Sequence, residues 1–165
     1  MPSFMQLLAW LETTQVAILV SQSWGFAALE MVHVAAISAV VGMIAVLDLR
    51  LLGLASTRCK VTDLYREVVP ITWAAFAVAV PTGLLMFIGQ AVKYSGNVAF
   101  RLKVALLILA AINMLTFRYF VFPGVAAWDH EKTVPVAGKI AGAVSLLSWI
   151  SIVAAARWIG YFMLP

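Results

Sequence analysis

Glu30 and His33 stand three residues apart inside the first long apolar stretch of the chain. That spacing puts both side chains on one helix face, about one turn from each other. An ionisable group inside such a stretch is costly to place in lipid, which marks the pair as a candidate site. The chemistry it offers is ligation. One ring nitrogen of His33 would bind haem iron or another metal, and Glu30 would orient the ring through the second nitrogen. Three cations fall at the same end of their own apolar stretches: Arg101 and Lys103 early in the third, Arg157 late in the fourth. They would hold anionic groups such as haem propionates, with Arg157 also pairing with Glu30.

Other readings of the same cluster remain open. Glu30, His33 and Arg157 form a network that fixes helix register, or a proton relay, a quinone pocket or a metal site at the E-x-x-H pair. The histidine count limits the haem reading, because the only other histidine, His130, lies in the loop at the far side of the membrane. It would be roughly 15 to 20 Å from His33 along the membrane normal, so one chain cannot supply two histidines to one iron. A five-coordinate haem, a histidine and methionine pair using Met86 or Met31, or two His33 residues across a symmetry axis would satisfy the count. A di-iron centre needs two E-x-x-H pairs and two more glutamates, and the chain has one pair. The single cysteine, Cys59, excludes an internal disulfide and any multi-cysteine metal site within one chain. The seven methionines are scattered, with no Met-x-Met or Met-x-x-x-Met cluster within a helix, which fits core filling rather than copper binding. No G-x-S-x-G, phosphate loop or H-E-x-x-H occurs, so hydrolase, kinase and zinc protease chemistry have no support.

The elements that must position these residues follow from composition. Of 165 residues, 64% are hydrophobic and 11% charged, with a mean hydropathy of +1.03. Too few polar side chains exist to cover a water-facing surface, so the chain reads as a membrane protein. Eleven bases against seven acids leave a net charge of +4, but the bases are scattered among apolar stretches, which argues against nucleic acid as a partner. Four spans of about 20 apolar residues are predicted, at about 24–47, 68–91, 100–122 and 136–163. Pro70 opens the second span, Pro81 kinks it, and Pro123 with Gly124 stops the third. Residues 3–20 read as an amphipathic helix lying on the membrane surface, with Phe4, Leu7, Leu8 and Leu11 on its apolar face. The fold class is therefore all-α: an integral membrane four-helix bundle with an N-terminal surface helix, one transmembrane domain over 1–165.

Seven bases flank the loops after spans one and three, and four lie on the other side, so both termini are expected outside, in a bacterium the periplasm. Gly138, Gly142 and Ser145 give span four a face for close helix approach, either within the bundle or between copies, and Ser38 with Gly42 gives span one a similar face. Trp24, Trp73, Trp128, Trp158 and Tyr161 fall near span ends as headgroup anchors. Asp48 and Arg50, at the end of span one, are expected to pair locally or with the 129–132 loop.

The ordered succession Glu30-x-x-His33, Asp48-Leu-Arg-Leu-Leu-Gly53, Thr82-Gly83-Leu-Leu-Met-Phe87, Asn97-x-Ala-Phe-Arg101-x-Lys103 and a late Arg157 resembles a family of short four-helix bacterial inner-membrane proteins of unassigned function. The plan is also loosely similar to copper-resistance D-type and cytochrome b-type membrane proteins, in which membrane histidines hold haem. These resemblances imply an inner-membrane location and leave activity open. The reading that combines them is a haem- or quinone-associated electron-transfer or accessory subunit, with haem b on His33 and anionic groups on Arg101, Arg157 and Lys103. The alternative is a non-catalytic scaffold subunit that binds membrane lipids or partner helices. A homo-oligomer or a place in a larger membrane complex is expected in either case.

Overall fold

The structure, a computed structural model, describes residues 3–21, 23–129 and 133–161. His130 and Met163 lie outside the described residues. Among the described residues there are seven α-helices: α1 (Phe4–Glu12), α2 (Gln15–Ser21), α3 (Ser23–Leu52), α4 (Val61–Gly89), α5 (Ala91–Gly96), α6 (Val98–Thr116) and α7 (Val136–Tyr161). Four stretches are long and apolar enough to cross a membrane: Trp24–Leu52, Val61–Gly89, Val98–Ala127 and Val136–Tyr161. Their surfaces carry large apolar side chains such as Met31, Ile71, Ile108 and Ile150, which lipid tolerates and water does not. The protein is an all-α membrane bundle.

The span limits differ from expectation where local chemistry intervenes. α3 runs on to Leu52 because Gly53, at φ +75°, supplies the left-handed residue that ends a helix. Leu54 N–H then donates to Leu49 O and Gly53 N–H to Arg50 O, the paired bonds of a Schellman motif. α4 begins at Val61, so Pro70 lies inside it rather than at its start. Pro123 does not stop the third span. The chain continues from α6 through a π-helical turn, Phe117–Val121, into a 3-10 helix, Phe122–Ala127, whose first turn accepts a residue without an N–H. The N-terminal segment is two helices rather than one, bent by 65° between α1 and α2. Ser3 caps α1 through a reciprocal pair with Gln6.

α3 packs on α4 and α7, and α6 packs on α7. Near Gly53, α3 and α7 come together on glycines: a Cβ at Gly142 would stand 3.0 Å from Leu51 Cβ and 3.1 Å from Asp48 O. The Gly138 and Gly142 face is therefore used within the bundle, whereas Ser38 is exposed and Gly42 has nothing against it. Trp128 is buried beside Leu51, Val61, Val125 and Val134, in a core rather than at the headgroups, while Trp24, Trp73, Trp158 and Tyr161 are exposed. Mid-bundle, Val40, Ala110, Trp149 and Ile152 form a second core with Phe76. At the opposite end α4 and α6 face each other through rings, Phe87 stacking on Phe100 at 5.5 Å. The α1–α2 pair folds over that end: Ser21 Oγ donates to Gly89 O at 3.1 Å, and Glu12 Oε1 accepts from Val92 N–H at 2.9 Å.

Candidate functional site

His33 is half-buried on α3, and its ring lies against α4. Its Nδ1 is 2.9 Å from Ala79 O and 3.0 Å from Thr82 Oγ1. A carbonyl oxygen only accepts, so Nδ1 carries the proton. The Thr82 hydroxyl donates to Val78 O at 2.8 Å, leaving its oxygen free to accept from the same Nδ1–H. In the neutral ring Nε2 is then the bare nitrogen, with its lone pair available to a ligand. Gly83 makes room for this arrangement, because a Cβ there would stand 2.9 Å from His33 Cε1. Thr82 and Gly83 follow Pro81, whose missing N–H already frees a carbonyl one turn back in α4.

The orienting partner of His33 is thus α4 and not Glu30. Glu30 is exposed, and so is Arg157; among the described residues no ion pair joins them. Glu30 instead lies near Tyr94 of α5, whose phenol burial pushes up from its ordinary value, the Glu30 carboxylate adding to the shift. Tyr94 completes an aromatic trio, 5.3 Å from Phe100 and 6.2 Å from Phe87 between ring centroids. From α6, Lys103 is half-buried and near enough for its charge to act on the imidazole. Lys103 thus lies near His33, and Glu30 near Tyr94, at the end of the bundle that carries the ring stack.

Arg101 and Arg157 sit on the outside of the same end. Asn97 sets their level: its Oδ1 accepts from Ala99 and Phe100 N–H at 2.9 and 3.2 Å, capping α6, and its Nδ2 donates to Ile159 O at 3.3 Å. With α6 and α7 tied there, Arg101 and Arg157 lie roughly 6 and 3 Å along the helix axes toward the middle of the bundle. Both are exposed. Among the described residues no group of three or more His, Cys, Asp or Glu side chains gathers to hold a metal. Sequence reasoning passed over Thr82, Gly83 and the ring trio as site residues; the polar Thr-Gly pair directly after a proline inside an apolar span was the available signal.

The family of unknown function DUF6644 matches residues 7–162. The chain belongs to this family. No curated protein and no solved structure matches it. In this DUF6644 chain a second polar group lies at the Gly53 end. Asp48 and Arg50 are 4% and 1% exposed, yet they do not pair with each other. Asp48 lies beside the Ser145 hydroxyl of α7, and Arg50 Nε donates to Cys59 O at 2.8 Å. Asp129 accepts from Thr62 N–H at 3.1 Å and from the Thr62 hydroxyl. The expected Asp48 and Arg50 ion pair is replaced by hydrogen bonds that fasten α3 to α7 and to its own loop.

Proposed function

We propose that this protein is an electron-transfer or accessory subunit of a bacterial inner membrane whose site at His33 takes the ring of a quinone, on the periplasmic side. The observation that carries the reading is the fixed imidazole: Nδ1–H held by Ala79 O and Thr82 Oγ1, which leaves Nε2 as an acceptor at the end of the bundle that carries the aromatic stack. The rings fit a flat headgroup; Lys103 offers a donor to a quinone carbonyl, and the Nε2 acceptor matches the O–H of the reduced quinol. When bound, the quinone supplies two-electron, two-proton redox chemistry. The chain's own part is to orient the ring and handle protons. His33 accepts a proton from the quinol O–H at Nε2, and Glu30, one turn nearer the Trp24 end of the span, receives it from there. Tyr94, above Phe100, keeps water from the stack.

Haem b is the second reading, favoured by the same tautomer, since an imidazole with Nδ1–H on a carbonyl is poised to give its Nε2 to iron. Lys103, Arg101 and Arg157 would hold its propionates. Purified full-length protein separates the two. Solvent extraction yielding about one quinone per chain, lost in His33→Ala, supports the first reading, and a Soret band lost in His33→Ala supports the second. A colourless protein that carries no quinone would sink both and leave the scaffold role, in which the helix faces bind partner subunits.

A further inference from the structure

A cavity of about 1030 Å³ opens between α5, α6 and α7 at the end opposite Gly53. It is separate from the His33 site: Ala99 and Leu102 line it, whereas Phe100 and Lys103, each about 100° further round α6, do not. Its wall is mainly apolar and carries one charged side chain, Lys93, which is exposed. Asn97 also borders it, but that amide is already engaged by α6 and Ile159. Trp158 marks the rim, where an amphipathic indole favours the headgroup level. From there the cavity descends along α7 to Ser151, seven residues or roughly 10 Å into the hydrocarbon.

The shape is that of an amphiphile site, polar at the mouth and greasy below. Charge decides which amphiphile. Lys93, Arg101, Lys103 and Arg157 stand at this end against Glu12 and Glu30, and Glu12 is already committed to the Val92 N–H. The excess is cationic, and a neutral lipid would leave it unanswered. We propose that this cavity holds one anionic phospholipid, its phosphate beside Lys93 and an acyl chain along Leu102, Ala154 and Ser151. A lipid bound there fills the side of the α6–α7 pair that the protein itself leaves open.

Native mass spectrometry of the full chain in mild detergent, titrated with phosphatidylglycerol and with phosphatidylethanolamine, tests this. One phosphatidylglycerol is expected to persist when detergent lipids are stripped, with phosphatidylethanolamine held several-fold more weakly. Lys93→Gln should weaken phosphatidylglycerol about five-fold, the effect of one basic residue at a membrane surface. Ala154→Trp should abolish its retention by filling the cavity, while Lys139→Gln, at the other end of α7, should change nothing. Circular dichroism on each variant confirms the helical fold. Equal retention of the two lipids, an unchanged Lys93→Gln, or an equal loss in Lys139→Gln would overturn the proposal. So would loss in Ala154→Trp with no response to Lys93→Gln, the pattern of a neutral occupant.

Discussion

Replacing Gly83 by alanine should move His33 without unfolding the bundle. The added Cβ would stand 2.9 Å from His33 Cε1 and 3.4 Å from Nδ1. Ordinary carbon contacts begin near 3.4 Å, so the ring must retreat by about 0.5 Å or rotate away. Either movement stretches the Nδ1 bonds, now 2.9 and 3.0 Å, to the limit of hydrogen bonding. Losing them costs about 1 kcal/mol each, and alanine in place of glycine in a helix returns about 1 kcal/mol. Net destabilisation should therefore stay near 1 kcal/mol, a shift of a few degrees in melting temperature. The ring, however, should lose its tautomeric preference. Selective ¹⁵N-histidine labelling reads this directly, because the chain has only two histidines and a His130→Gln variant assigns both signals. The expected result is a neutral ring protonated at Nδ1 in the parent and a mixture of tautomers in Gly83→Ala. An Nε2-protonated parent ring, or a tautomer untouched by the substitution, would refute the reasoning that makes Nε2 the free acceptor.

The raised Tyr94 pKa gives an alkaline test. A phenol protonated more tightly in the folded state contributes stability that is complete below about pH 10 and is lost as pH rises toward its folded pKa. Melting temperature should thus fall above about pH 10, less steeply in Tyr94→Phe, and Glu30→Gln should bring tyrosinate absorbance in at lower pH. Asn97→Ala removes the α6 cap and the tie to Ile159, so a loss of about 1 kcal/mol in denaturant unfolding is expected, with no change in the His33 tautomer. Gly142→Val meets the Asp48 carbonyl and Leu51, which the helix backbones hold in place, and should cost at least 1–3 kcal/mol by forcing α3 from α7. A Gly142→Val protein as stable as the parent would show that the helices are not in close contact there.

The spans were legible because apolar length is a property each segment carries alone. Glu30, His33, Arg101, Lys103 and Arg157 were likewise traceable to one end of the bundle by counting rise per residue. What spacing could not show is which neighbour a side chain chooses. Glu30 is one turn from His33 on the same helix, yet the imidazole bonds to α4, because a carbonyl and a hydroxyl across the interface lie closer to its Nδ1 than a side chain that points toward the surface. The same holds for Asp48 and Arg50: two residues apart, they emerge from different sides of α3 and find Ser145 and Cys59 O. Helix ends also escaped pattern reading at Pro70 and Pro123, since a proline is compatible with a helix interior or a first turn once tertiary packing holds the backbone.

The asymmetry between the two ends explains why the polar groups of interest gather where they do. At the Gly53 end, glycines on α7 let its backbone reach van der Waals distance of α3; Arg50 Nε is engaged by Cys59 O and Asp129 by Thr62, while Asp48 Oδ2 and Arg50 Nη1 are buried without a hydrogen-bond partner among the described residues. At the other end Gly83 and Gly89 of α4 make room for His33 and for α2, but among the described residues no glycine brings α6 against α4. Phe87, Phe100 and Tyr94 stand between α4 and α6, holding them a ring's width apart, and a second opening lies behind α6. Only there can a half-buried histidine keep one nitrogen fixed and the other uncommitted, with a lysine beside it and a carboxylate one turn away. Because the α1–α2 pair is tied to this end through Glu12 and Ser21, it is also the element that covers the α4–α5 turn. Glu12→Ala, which frees Val92 N–H, should raise amide exchange across α5 while leaving exchange at the Gly53 end unchanged, and uniform exchange in both ends would show that the pair does not act as a cover.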